Sequence, residues 1–335
     1  MKQSLYDPRL AARPRTYAAA DGDWHIDAAL SEISIQFAVD PSQYLGTTVM
    51  PIVPVAKQSD RFFIWDKSYW FNIPDTLRAR KTRANRVETA VSSLSYYTDN
   101  YALEESIAYE DLSNADEALA LEESTARHIM QLMMADQEAR IATLYTTAAN
   151  VGSGVTLSGA NQWSDPANSN PISDVMSGKS WIHLTTGQRP STVVVGQQVN
   201  DALLLHPDFI DRLKHVARGT EAEIQNAIAD IFGVGRYLIG GAVRENAAEG
   251  LPTSASSMTF IWGKRAVIFH VPSAPGRNIP SASYAFRWRP AGFTDFVVET
   301  KDDDDIKARL KRVNYFQDEV ITASQLIYLV TDAVA

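Results

Sequence analysis

Between residues 114 and 149 the apolar positions Leu119, Ala126, Met130, Met133, Ile141, Leu144 and Ala148 recur at steps of three, four, seven or eight. That spacing places them on one face of an α-helix. Asn114 stands where an N-cap belongs, and Glu117 sits at the capping-box position. Asp116, Glu117, Glu122 and Glu123 crowd the positive end of the helix dipole, and Gly152 and Gly154 end the pattern. Roughly 35 residues at 1.5 Å each make a helix of roughly 50 Å, a length suited to a strut across an extended subunit.

Upstream the period changes. Arg61–Trp65 and Ser68–Phe71 are dense in aromatic and β-branched residues, which predicts strands. Val87, Thr89, Val91 and Ser93 then alternate with Glu88, Ala90 and Ser92, and the Tyr96-Tyr97 pair follows. Between the two stretches lies a basic run, Arg78, Arg80, Lys81, Arg83 and Arg86. The pattern predicts a long two-stranded excursion over Arg61–Tyr101 with a positively charged tip. A hairpin of that length is marginally stable alone and needs a surface to lie on. Residues 1–56 carry no sustained period, and Pro41, Pro51 and Pro54 interrupt what order there is, which predicts an N-terminal arm.

Downstream, residues 151–172 are rich in Gly, Ser, Asn and Pro and read as a connection. An α/β pattern follows, with helices predicted at Asp174–Thr185, Gln197–Leu205, Phe209–His215 and Glu221–Phe232. Strands are predicted at Thr192–Val195, Arg236–Ile239, Thr259–Trp262 and Ala266–Val271. The last fifty residues predict strands at Tyr284–Arg289, Phe293–Glu299 and Ala323–Val330, interrupted by an acidic loop at Asp302–Asp305. These final strands are expected to return to the layer that holds the long helix.

The chain has 335 residues, 45% of them hydrophobic and 21% charged, enough for a substantial core and more than one domain. A net charge of −9 argues against a general nucleic-acid binder, which needs an excess of Lys and Arg. With no cysteine, disulfides, thiolate nucleophiles and Cys-based zinc sites are excluded. Neither a secretory signal nor a membrane span of roughly 18 apolar residues is visible.

Catalytic signatures are missing from the sequence. The glycines at Gly233-Val-Gly235 fail the dinucleotide fingerprint because Leu238 holds its last position, so a turn is expected there. The six histidines are scattered, and no acidic residue completes a ligand set around His206 and His215. Asp302, Asp303, Asp304 and Asp305 could hold a hard cation, form a solvated loop, or meet a basic patch on a neighbouring copy. They lack the spaced ligands of a calcium loop. The basic run likewise reads as a solvated turn, a nucleic-acid contact without interleaved aromatics, or a clamp on carboxylates such as Glu117, Glu122, Glu123 or Asp302–Asp305. No catalytic, cofactor-binding or metal residue is assigned.

The order of these parts resembles the tailed-phage major capsid proteins with the Hong Kong 97 fold. The resemblance runs through Trp163–Pro166, Pro171–Asp174, Thr186–Pro190, Val193–Gly196, Leu203–Pro207, Ile231–Val234, Gly240–Ala242, Ile261–Lys264, His270–Pro272 and Ala323–Ile327. It implies an α+β capsid fold divided into an N-terminal arm (1–56), an extended β-hairpin loop (57–103), a peripheral domain (104–172, with its spine helix at 114–149), an α/β axial domain (173–283) and a second peripheral part (284–335). The implied function is a structural shell subunit that self-assembles as pentamers and hexamers around double-stranded DNA, bound without sequence specificity. A separate scaffolding protein, a portal and a decoration protein are the implied partners, with assembly in the host bacterial cytoplasm and residence in the virion. A minor head or head–tail adaptor protein is the alternative, and an α/β enzyme the next.

Overall fold

A computed structural model describes residues 25–26, 44–65, 70–88, 91–114, 118–214, 220–246, 257–276, 279–290 and 296–335. Most of the expected N-terminal arm, together with Glu117, lies outside them. In chain order the elements begin with β1 (His25–Ile26), α1 (Gly46–Val49), β2 (Ile52–Val55), β3 (Ser59–Trp65), β4 (Val91–Tyr97) and β5 (Asp99–Ala108). Helices α2 (Tyr109–Asn114) and α3 (Ala118–Thr146) follow, then β6 (Ser153–Thr156), α4 (Pro171–Thr186) and β7 (Thr192–Gly196). Next come α5 (Gln197–Leu205), α6 (Pro207–Leu213), α7 (Glu221–Phe232), β8 (Arg236–Gly240), β9 (Val243–Glu245), β10 (Met258–Phe260) and β11 (Ala266–Phe269). The chain closes with β12 (Ser283–Trp288), β13 (Val297–Asp303), β14 (Ala308–Ile321) and β15 (Ile327–Thr331).

Two sheets carry the architecture. The first is built around β14, whose residues 308–317 pair with β5 along one edge while 308–314 pair with β13 along the other. Where β13 ends, β12 takes over that edge, and parallel β2 extends the sheet beyond it. The second sheet runs β6-β15-β11-β7-β8, with β7 and β11 fully buried. Such continuous Val and Ile runs suit a strand covered on both faces.

Local chemistry sets the ends of the helices. The Asn170 side chain accepts the Ser173 amide, Pro171 opens α4, and Gly187 ends it in the left-handed region at φ 68°. Gly233, at φ 62°, ends α7, which makes the Gly233-Val-Gly235 stretch a helix stop and turn.

The long helix α3 serves both cores. Ala126, Ile129, Met130 and Met133 pack on the first sheet against Phe296, Val298, Val313 and Tyr315. Ile141, Ala142 and Tyr145 enter the larger core of the second sheet. Leu144 is half-buried and Ala148 is exposed in a 3₁₀ turn past the helix end.

Four expectations need correction. Asn114 ends the separate helix α2, so it does not cap a single helix spanning 114–149. Trp70 and Phe71 form a helical turn and are exposed, not part of a strand. The closing strand β15 lies between β11 and β6 in the second sheet, against the C-terminal part of α3, and does not join β12, β13 and β14 in the first sheet. The longest strand, β14, went unpredicted because its sequence reads as polar.

Candidate intersubunit surface

The two-stranded ribbon β3–β4 leaves the first sheet in continuous antiparallel register, from Ser59 opposite Tyr97 to Trp65 opposite Val91. Its root is fixed to the body. Phe286 of β12 packs against Tyr96 at 4.6 Å between ring centroids and against Phe62 at 5.0 Å. Asp318 of β14 accepts the Tyr97 amide at 2.9 Å, and Thr98 donates its backbone amide to the Gln58 carbonyl at 2.9 Å. Packed rings and paired amides tie this root to the first sheet.

Beyond the root the ribbon is exposed. Phe63, Trp70, Phe71, Ile73, Leu77 and Val87 are each more than half exposed, Ile73 to 90%. Isolated surface apolar residues are common, but a sustained series on one projection marks a surface that another body covers. The tip holds its shape through local bonds: Asn85 Nδ2 donates to the Asp75 carbonyl at 2.7 Å, and Asp75 Oδ1 accepts the Leu77 amide at 2.9 Å. Lys81 takes a left-handed backbone at φ 63°. Arg78, Arg80, Lys81, Arg83 and Arg86 are all exposed, and among the described residues none has an ion-pair partner in its own chain.

The carboxylates proposed to face these cations divide into two groups. Glu122 is engaged inside the subunit, accepting from Arg309 Nη1 and Lys311 Nζ at 2.7 Å each. Burial acts to raise its carboxyl pKa, but the hydrogen bonds from Lys311 and Arg309 prevail and hold it below the ordinary value. Glu123 pairs with Arg127 one turn along α3, and Asp302 accepts Arg309 Nε at 2.8 Å. Asp303, Asp304 and Asp305 cap the β13–β14 hairpin. There Asp303 Oδ1 accepts the Asp305 amide, and Asp304 lies 3.6 Å from Lys307. The Tyr109 amide donates to the Lys307 carbonyl at 3.0 Å, which brings the exposed Glu110 and Asp111 of α2 to the same corner. Within one subunit the basic tip and this acidic corner do not meet.

Sequence reading missed a chain of polar contacts that links α3 to β14 and β14 to β12. Arg140 donates to Glu319 and to the Tyr315 hydroxyl, and Arg287 donates Nε–H to Gln317 Oε1 at 2.9 Å. Buried His206 caps α6 by accepting the Asp208 amide and touches Ser169 Oγ at 3.2 Å. Among the described residues no group of three or more acidic or histidine side chains is arranged to hold a metal. No described helix is long and apolar enough to cross a membrane.

No family model matches the chain. The major capsid protein of Pseudomonas phage JBD67 is 27% identical over 316 residues, covering 92% of this chain and 97% of that one. The major capsid protein of Burkholderia phage BcepMu is 25% identical over 285 residues, covering 83% and 87%. Among solved structures, a phage-related protein from Bordetella bronchiseptica RB50 matches with a TM-score of 0.68 at 20% identity, over 93% of this chain and 99% of that chain. The mature capsid of bacteriophage PhiM1 matches with a TM-score of 0.54 at 11% identity, over 86% and 87%. A virus-like particle from Pyrococcus furiosus matches at 0.53 and 12% identity, over 90% and 97%. Along most of its length, therefore, this chain is a relative of phage major capsid proteins and carries the Hong Kong 97-type capsid fold.

Proposed function

We propose that the chain is the repeating structural subunit of an icosahedral phage shell, assembling as pentamers and hexamers around packaged double-stranded DNA and residing in the virion. The observation that carries the assembly reading is the β3–β4 ribbon. A root tied to the first sheet carries a series of exposed apolar side chains and five cations that have no ion-pair partner among the described residues, a combination suited to burial by a second body. Its docking site is a neighbouring subunit. The cations of the tip face Asp303, Asp304 and Asp305, with Glu110 and Asp111, on that neighbour, and charge matching sets the register of docking. The α/β unit around β7 and β11 gathers at the symmetry axes, and the first sheet with α3 forms the periphery.

Electron microscopy of the protein expressed alone and with a scaffolding protein, beside native mass, tests the reading. Shells, tubes or five- and six-membered rings are the expected products. A 37.0 kDa monomer under every condition would overturn it.

A further inference from the structure

Helix α3 passes from one core to the other within a few residues, between Met133 and Ile141. In that interval lie Gln137 and Glu138, both buried; among the described residues Gln137 Nε2 has no hydrogen-bond partner and Glu138 Oε2 has none of full hydrogen-bond geometry, although the backbone amides of Gly46 and Leu45 approach its carboxyl. Buried polar groups are nearly always paired, so two adjacent exceptions at a junction call for an explanation.

Three separated parts of the chain meet at the Glu138 carboxyl. Trp262, from the loop between β10 and β11, donates its indole N–H to Oε1 at 2.5 Å. Gly46, opening α1, lies so close that a Cβ there would sit 3.2 Å from Oε2. Tyr44 is the titratable group facing it from the same segment. Burial raises the Tyr44 phenol, the Gln131 side chain lowers it, and the charge of Glu138 raises it further. On the helix itself, Arg140 is turned to Asp136 one turn away and to Glu319 and Tyr315 on the first sheet. Among the described residues no cation offsets a charge on Glu138. Burial, only partly opposed by the Trp262 indole and the amides of Gly46 and Leu45, lifts its carboxyl to about 7.

We propose that Glu138 is a proton-operated latch, which when protonated seals the junction of α3, the Tyr44–Met50 segment and the Trp262 loop, and when ionised loosens it. A buried carboxylate without a cation keeps most of its desolvation cost, whereas the neutral acid does not. The folded junction therefore holds a proton that an unfolded chain has already released, so its stability falls as pH rises from about 4.5 toward 7. Because the carboxyl lies where the helix changes cores, the same proton controls how firmly the two sheets are held together. The latch rests on packing within one subunit, so it can be read without assembly and stands apart from the shell proposal.

Hydrogen exchange on the soluble subunit between about pH 5.5 and about pH 8.5, corrected for intrinsic exchange, tests it. Amides of Tyr44–Met50 should lose about tenfold in protection across that range, while those of β14 hold constant. Glu138→Gln should abolish the loss. A wild-type protein without the loss, or a Glu138→Gln variant that retains it, overturns the latch. Trp262→Phe removes the donor that favours the ionised form and should move the loss to higher pH. An unmoved midpoint also overturns it, and this arm serves if Glu138→Gln does not fold.

Discussion

Lys311, fully buried on β14, places its ammonium 2.7 Å from Glu122 on α3. Its neighbour Arg309 reaches the other oxygen of the same carboxylate and bridges on to Asp302. At the far end of the contact Arg140 repeats the arrangement in reverse, with the cation on the helix and Glu319 on the strand. Between these two polar fastenings lies the apolar contact of Met130 and Met133 with Val313 and Tyr315. The helix and the longest strand are thus fixed in register at both ends.

Lys311→Met should lower stability by about 3 kcal/mol, because removing one partner leaves a largely buried carboxylate with Arg309 alone. Adding Glu122→Gln should recover part of the loss, since removing both charges also removes their desolvation cost. Urea midpoints check both. A single variant as stable as the parent would show the pair to be energetically idle.

Glu122 and Glu138 respond to pH in opposite directions. The carboxyl of Glu122 is depressed in the folded state, so its contribution is complete above the unfolded value and is lost as pH falls through the folded one. Melting temperature should therefore drop steeply below about pH 4, and the Lys311→Met/Glu122→Gln pair should flatten that drop.

Met133→Asp should prevent folding, because an unpaired charge in the α3 core costs about 3–5 kcal/mol or more. Leu132→Asp, one residue away on the 46% exposed side, should be tolerated. Circular dichroism and solubility of the two variants distinguish them. Equal behaviour would mean that the buried face is misassigned.

Reversing Arg80 and Arg83 to Glu should leave the fold intact, within about 0.5 kcal/mol, since neither has an ion-pair partner among the described residues. Particle formation should fail. Normal shells from a folded double variant would remove the basic tip from the assembly contact.

Gly196→Ala should yield little soluble protein. A Cβ at Gly196 would lie 1.7 Å from the Gly263 carbonyl oxygen, a backbone atom that cannot step aside without moving the turn into β11. Gly235→Ala, whose Cβ would meet its nearest atom at 3.3 Å, serves as the milder comparison. Expression yields and thermal melts compare the two.

The sequence by itself determined the periodic elements. Val193, Val194 and Val195 announce a strand buried on both faces, and Met130, Met133 and Ile141 mark the inner side of the long helix. The body of α4 is legible over Asp174–Thr185, whereas its first turn at Pro171, capped by Asn170, falls in the stretch read as a connection. The basic excursion was legible for the same reason, from the aromatic and alternating stretches on either side of its run of cations.

Only the tertiary structure decided what depends on partners distant in sequence. Strand β14 reads as polar because Lys311, Asn314 and Gln317 are buried against Glu122, Glu299 and Arg287, and no local pattern tells a paired buried charge from a solvated one. The pairing of β15 with β11 instead of with the first sheet follows from long-range register, which an apolar strand leaves open. The helical phase of Glu138, four residues from Met134 and eight from Met130, was readable. That it meets Trp262 and Gly46 was not, because contacts across 124 and 92 residues are set by how the two sheets pack against one helix.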